Sequence, residues 1–209
     1  MLKVGLTGNI GSGKSTVSRI FMLLKIPVYH ADDESKKFLL EENVIRDVAH
    51  YFGSGVLDND RQVNRRSLAA LVFSDKKANL QLNSILHPLV REDFRNWIKS
   101  FSGYPYIIQE AAIILESGFR DEFDYIIHVS CPTEIAIDRV MNRDHVDGQQ
   151  VKQRLQFQIG DEEKGKLSDF VILNDGSHLL IPQVISIHNQ LLKIGIQGSD
   201  QDTCDAIIP

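Results

Sequence analysis

Cysteine is nearly absent from this chain: Cys131 and Cys204 are two residues among 209, far apart in sequence. They make neither a disulfide framework nor a metal-ligand spacing, and their sparing use fits a reducing compartment. An excess of basic charge is missing as well. The 23 Lys and Arg face 28 Asp and Glu, a net charge of -5, which argues against a non-specific binder of nucleic acid or anionic membrane. No apolar run approaches the roughly 20 residues that span a bilayer. The first eight residues hold no apolar signal core and no small-residue cleavage site. There are no internal repeats and no low-complexity stretch. The expectation is a cytoplasmic protein with no nucleic-acid, membrane or obligatory protein partner. What is present is ordinary for a globular chain: 43% hydrophobic and 24% charged residues, which excludes general disorder. At about 150 residues per domain the length gives one domain with an embellishment. A chain of this size buries roughly 70% of its unfolded surface and needs no metal or disulfide to fold.

Apolar patterning alternates between two periods. Short β-branched runs at 3–7, 26–30, 106–108, 125–129 and 170–173 predict strands. Pro27 is tolerated at the start of the second. Helical spacing is predicted over about 14–24, from Asp32 onward, after Pro132, over 151–159, and through Leu180, Val184, Ile187 and Leu191, where Gly195 is a candidate cap. Val44, Ile45, Val48, Ala49 and Phe52 share one helical face. Val90, Phe94, Trp97, Ile98 and Phe101 form another stripe, read as core and not as a platform for stacking bases. His87-Pro88 is read as a turn between two helices. Strands alternating with helices imply a parallel α/β sheet covered on both faces.

Gly8-Asn9-Ile10-Gly11-Ser12-Gly13-Lys14-Ser15-Thr16 matches G-x-x-x-x-G-K-[ST] between a predicted strand and a predicted helix, the context this motif requires. Glycines let the backbone curl so that successive N–H groups point at one phosphate. The helix N-terminus adds a dipole favourable to an anion. Lys14 supplies a point charge toward the β- and γ-phosphates, and the Ser15 hydroxyl can ligate Mg²⁺. The fold expected is therefore a P-loop NTPase core built from residues 1–33, 104–138 and 167–195. Residues 34–103 form an inserted helical substrate-binding region, 139–166 a small helical lid, and 196–209 a polar tail.

Three classes share such a loop. A GTPase needs a guanine-reading Asn-Lys-x-Asp after a late strand, and Asn174-Asp175-Gly176 lacks the lysine. A mechanical ATPase usually pairs two acids at a strand end, whereas Glu110 ends its strand without a second. A kinase of a small hydroxyl acceptor fits better. It must exclude water or hydrolyse its ATP, and it needs a base near the acceptor and cations near the phosphates. Asp32, just past the second strand, can accept or orient the acceptor proton; its structural alternative, shared with Asp33, is a helix N-cap. Arg139 and Arg143 lie at i, i+4 off the apolar face of their helix. They read either as solvated surface or, beside a phosphate loop, as clamps for transferring charge. Residues 139–166 carry six basic and five acidic side chains, a balance that suits a lid better than a nucleic-acid groove. Lys14, Arg139, Arg143 and Arg154 are expected to gather around ATP. The seven histidines show no ligand spacing.

The ordered blocks of the chain resemble dephospho-CoA kinases over about residues 3–192. They begin with Leu6 to Val17 and continue with Val28-Tyr29-His30-Ala31-Asp32, where the family has a strand ending in Asp-Ala-Asp. Further blocks are Arg65-Arg66-Ser67-Leu68 with Val72-Phe73, Leu82-Asn83-Ser84-Ile85-Leu86-His87-Pro88-Leu89-Val90, Arg139 with Arg143-Asp144, residues 154–158, Leu167 to Ile172, and Asn174-Asp175-Gly176. Two departures stand out. His30 replaces the first aspartate, and the family's Asp-x-Pro-Leu-Leu-x-Glu appears as Glu110-Ala111-Ala112-Ile113-Ile114-Leu115-Glu116. The resemblance implies transfer of the γ-phosphoryl group of ATP, with Mg²⁺, to the ribose 3′-hydroxyl of dephospho-CoA. It makes Asp32 the catalytic acid/base or hydroxyl-orienting residue, and Arg139 the stabiliser of the transferring group. Gly8, Gly11, Ser12, Gly13, Lys14, Ser15, Thr16 and Arg143 hold ATP, and Asn174 lies near the adenine. The helical insertion around His87, together with Glu110, binds the acceptor.

Overall fold

The structure, a computed structural model, describes the backbone of residues 1–204 and side chains through residue 195. Five strands, β1 (Leu2–Thr7), β2 (Val28–His30), β3 (Tyr106–Glu110), β4 (Tyr125–Ser130) and β5 (Phe170–Leu173), form one sheet in the order β2-β3-β1-β4-β5. The β1–β3, β1–β4 and β4–β5 pairs are parallel. The helices are α1 (Lys14–Leu23), α2 (Ala31–Phe38), α3 (Glu42–Phe52), α4 (Arg65–Val72), α5 (Lys76–Ile98), α6 (Thr133–Asp144), α7 (Gly148–Leu155), α8 (Asp161–Lys166) and α9 (Leu180–Cys204).

Both faces of the sheet are covered. Val4 and Leu6 of β1 pack with Val17 and Phe21 of α1 and with Val184, Ile187 and Leu191 of α9. On the opposite face Gly5 lies against Ile114, Phe123 and Ile126, so closely that an added Cβ would come within 2.6 Å of Ile126. β1 is central, with β3 on one side and β4 on the other. Its carboxyl end is thus the switch point where open α/β sheets bind ligands.

The contacts divide the chain into two compact units, Met1–Tyr29 with Ile98–Pro209, and His30–Trp97. The helical unit has its own core, built from Leu39, Val44, Val48, Val56, Val63, Leu68, Val72 and Leu86.

Several sequence expectations are corrected. β2 begins at Val28, because the Ile26 N–H is taken by the Phe21 carbonyl in the turn that closes α1. The next helix starts at Ala31 with His30 in the N-cap position, so Asp32 and Asp33 belong to its first turn and neither is its cap. His87 and Pro88 lie inside α5 and form no turn. Proline removes the helical bond to the Ser84 carbonyl, yet burial of Leu86, Val90 and Phe94 on either side keeps the helix continuous. Residues 151–159 are not one helix: α7 ends at Leu155, and α8 begins after Gly160. Gly195 caps nothing. It lies within α9, where its missing side chain lets the helix pass the Pro105 backbone. Of the expected tail 196–209, residues 196–204 continue α9, and 205–209 lie outside the described residues.

Candidate active site

The phosphate loop leaves β1 after Thr7 and enters α1 at Lys14. Gly8, Gly11 and Gly13 hold φ values of 155°, 81° and 94°, a region that penalises any side chain. They also lack room for one. A Cβ on Gly8 would sit 2.6 Å from the Val129 carbonyl, one on Gly11 would overlap the Ala136 carbonyl, and one on Gly13 the Asn174 amide. The loop closes on itself through Ser12 N–H to Asn9 O (3.0 Å) and Thr16 N–H to Gly13 O (3.0 Å). No side chain caps α1 and its first turn holds no acid. Its N–H groups, which lack intrahelical acceptors, therefore suit an anion.

Lys14 is buried, and its Nζ donates to Gly8 O at 2.9 Å and Asn9 O at 3.4 Å. Ser15 and Thr16 are exposed. Among the described residues no three His, Cys, Asp or Glu side chains gather as a metal cage. A single hydroxyl such as Ser15 Oγ fits Mg²⁺ all the same, because that ion takes few protein ligands and completes its shell from phosphates and water.

Arg139 and Asn174 join the loop. The Asn174 side chain is buried at the end of β5 and donates from Nδ2 to Ser12 O at 2.6 Å. Arg139 reaches from α6 to the Asn174 carbonyl (3.2 Å), to Asn174 Oδ1 (3.4 Å) and to Cys131 Sγ (3.4 Å). One asparagine thus ties the guanidinium to the phosphate loop. Cys131 itself is buried, which pushes its thiol pKa up despite the nearby Arg139. Arg143 turns elsewhere: its Nε and Nη2 bind Asp144 at 2.7 and 3.1 Å, and Arg154 binds the same carboxylate at 3.1 Å. Glu110 is buried at the end of β3, opposite Leu6 in register, and the next N–H, of Ala111, bonds the Leu6 carbonyl. Asp32 and His87 belong to the helical unit. Burial, and secondly Arg91, lowers the His87 pKa.

Sequence reasoning gave no individual roles to a cluster just beyond the loop, although Gln158, Asp161 and Lys164 fall within the expected lid 139–166. Gln158 Oε1 accepts the Ile10 N–H at 2.9 Å. Glu116 Oε1 accepts the Ile159 N–H (2.9 Å) and pairs with Lys164 Nζ (2.8 Å), which also donates to Ala112 O (2.8 Å). Asp161 binds His128 Nε2 at 3.0 Å and Ser130 Oγ at 2.5 Å. No periodicity distinguishes a buried Lys164 from the exposed Lys166 two residues on.

The sequence profile of the dephospho-CoA kinase family matches residues 2–179. A dephospho-CoA kinase of Bacteroides fragilis is 40% identical over 187 residues, covering 89% of this chain and 91% of its own. A crystal structure from Thermus thermophilus superposes with a TM-score of 0.79 at 29% identity, covering 90% of this chain and 96% of that one. Campylobacter jejuni dephospho-CoA kinase gives 0.65 at 26% identity, with 91% and 97% covered. Since a profile spanning most of the sequence agrees with relatives aligned nearly end to end, the chain belongs to the dephospho-CoA kinase family.

Proposed function

We propose that this protein transfers the γ-phosphoryl group of ATP to the ribose 3′-hydroxyl of dephospho-CoA, yielding CoA and ADP, as the last step of CoA biosynthesis. The observation that carries the reading is the glycine-built loop tied through Asn174 to Arg139, in a chain of this family. The acceptor oxygen forms a bond to the γ-phosphorus, and the bond from that phosphorus to the β,γ-bridging oxygen breaks. The hydroxyl proton passes to Asp32, whose carboxylate accepts or orients it. The loop N–H groups and the start of α1 hold the phosphates. Lys14 Nζ shifts from backbone carbonyls to the β- and γ-phosphates, and Arg139 stabilises charge on the group in transit. Ser15 would help to hold Mg²⁺, which would supply charge neutralisation to the phosphates of ATP.

The helical region 34–103, with His87, and buried Glu110 serve the acceptor. Within residues 139–166 the leading end acts as the lid, with Arg143 released from Asp144 to the nucleotide, while the trailing end anchors it, and Asn174 closes the site on the adenine side. The cytoplasm supplies both substrates. Among the described residues no helix is long and apolar enough to cross a membrane.

An ADP-release assay with dephospho-CoA, adenosine and nucleoside monophosphates tests the acceptor. Turnover of dephospho-CoA alone is expected; turnover of a nucleoside monophosphate alone refutes the reading. Asp32→Asn should lower kcat by about 10²-fold with ATP binding kept. Full turnover in that variant removes Asp32 from its role.

A further inference from the structure

We propose that Gln158 is a positioning residue for Lys14, acting through the Asn9–Ile10 peptide at the start of the phosphate loop. The inference deepens the function proposed above and rests on it. Gln158 stands outside the loop motif, 148 residues from the N–H it binds. Its Oε1 accepts the Ile10 N–H at 2.9 Å. The carbonyl of that same peptide, Asn9 O, accepts the Ser12 N–H at 3.0 Å and the Lys14 ammonium at 3.4 Å. A peptide unit is planar. Whatever fixes its N–H therefore fixes the direction of its carbonyl, and with it one of the acceptors between which Lys14 waits.

The grip is firm because Gln158 itself is anchored. The next residue donates its N–H to Glu116, which is paired with the fully buried Lys164. Three residues beyond Gln158, Asp161 is held by His128 and Ser130 at the end of β4. Gln158 thus projects from a fixed base onto a loop that, for want of side chains on Gly8, Gly11 and Gly13, has few other means of holding a peptide plane. Without it, a partly buried N–H loses its acceptor and the Asn9–Ile10 plane is held from its carbonyl side alone, by Ser12 and by the Lys14 ammonium that it should position.

The test is a double-mutant cycle on the full chain, comparing wild type, Gln158→Met, Lys14→Met and the double variant. ATP Kd is read by calorimetry, with kcat, both KM values and Tm alongside. Methionine keeps the side-chain length and removes the acceptor. Gln158→Met should raise the ATP Kd and lower kcat, each about tenfold, the worth of one hydrogen bond. KM for dephospho-CoA should be unchanged. Gln158→Glu, which keeps an acceptor oxygen, should retain a higher kcat than Gln158→Met. In the Lys14→Met background the same Gln158→Met change should move the ATP Kd by less than about twofold, since the group it positions is gone. Equal losses in both backgrounds overturn the proposal, as does a lowered Tm with kcat and the ATP constants intact, which marks a structural role. If Lys14→Met turns over at the wild-type rate, the phosphate-loop reading fails and this inference falls with it. An inactive Lys14→Met beside an unaffected Gln158→Met refutes the positioning role alone.

Discussion

The two ends of the segment 139–166 carry similar charges to opposite effect. At the leading end Arg143, Asp144 and Arg154 form a small network near solvent, with the Arg143 side chain 63% exposed. At the trailing end Lys164 is fully buried against Glu116, and Asp161 meets the buried ring of His128. Exposed pairs are worth about 0–1 kcal/mol. Removing one partner of a buried pair costs about 3–5 kcal/mol, because the other charge stays behind uncompensated. One end can therefore exchange partners cheaply, whereas the other is a fixture. Charge content alone gives no hint of that division.

The largest stability effect expected is at Lys164. Burial lowers its pKa, while the pairing with Glu116 opposes that shift. Lys164→Met leaves the Glu116 carboxylate and the Ala112 carbonyl without this donor and should cost about 3–5 kcal/mol in denaturant unfolding. Lys164→Met with Glu116→Leu, which removes both charges, should recover part of that loss. A cost below about 1 kcal/mol for the single change makes the trailing end no firmer than the leading one.

The same contrast explains what could be read in advance. The phosphate loop was legible because its chemistry demands residue types at fixed spacing, and the strands because β-branched runs between turn residues have few alternative fates. α5 was misread at His87-Pro88 because a local rule against proline gave way to burial of Leu86, Val90 and Phe94. The Asn174–Ser12 and Gln158–Ile10 bonds join residues more than a hundred positions apart. No helical or strand period encodes such pairs. The balanced charge of 139–166 was visible, but not which of its lysines is buried.

A second effect, smaller and lost in acid, is expected at Asp161. Burial pushes its carboxyl up, but hydrogen bonds from His128 and Ser130 outweigh this and leave it below the usual carboxylate range. The folded pKa thus lies below the unfolded one. Between the two, the unfolded chain holds a proton that the folded chain does not, so stability rises with pH across that window. The contribution is complete above an unfolded value of about 4 and lost below the folded one. Asp161→Asn should therefore destabilise at neutral pH, with the deficit shrinking as pH falls to about 3. A deficit independent of pH between about 3 and 6 assigns the loss to packing instead.

The smallest stability effect is expected at Arg143, and its smallness is what makes it informative. Its hydrogen bond with Asp144, the neighbouring residue, holds the Asp144 pKa down, with Arg154 contributing less. The pair bridges adjacent positions near solvent, so it ties together no distant parts of the fold, and salt screens it. Arg143→Ala should change unfolding free energy by less than about 1 kcal/mol. The same variant should raise KM for ATP if Arg143 exchanges Asp144 for phosphate, and added salt should narrow its difference from wild type. A loss above about 2 kcal/mol would instead place this end of the segment among the fixtures, because a pair of that strength is not traded for a ligand and regained in every turnover.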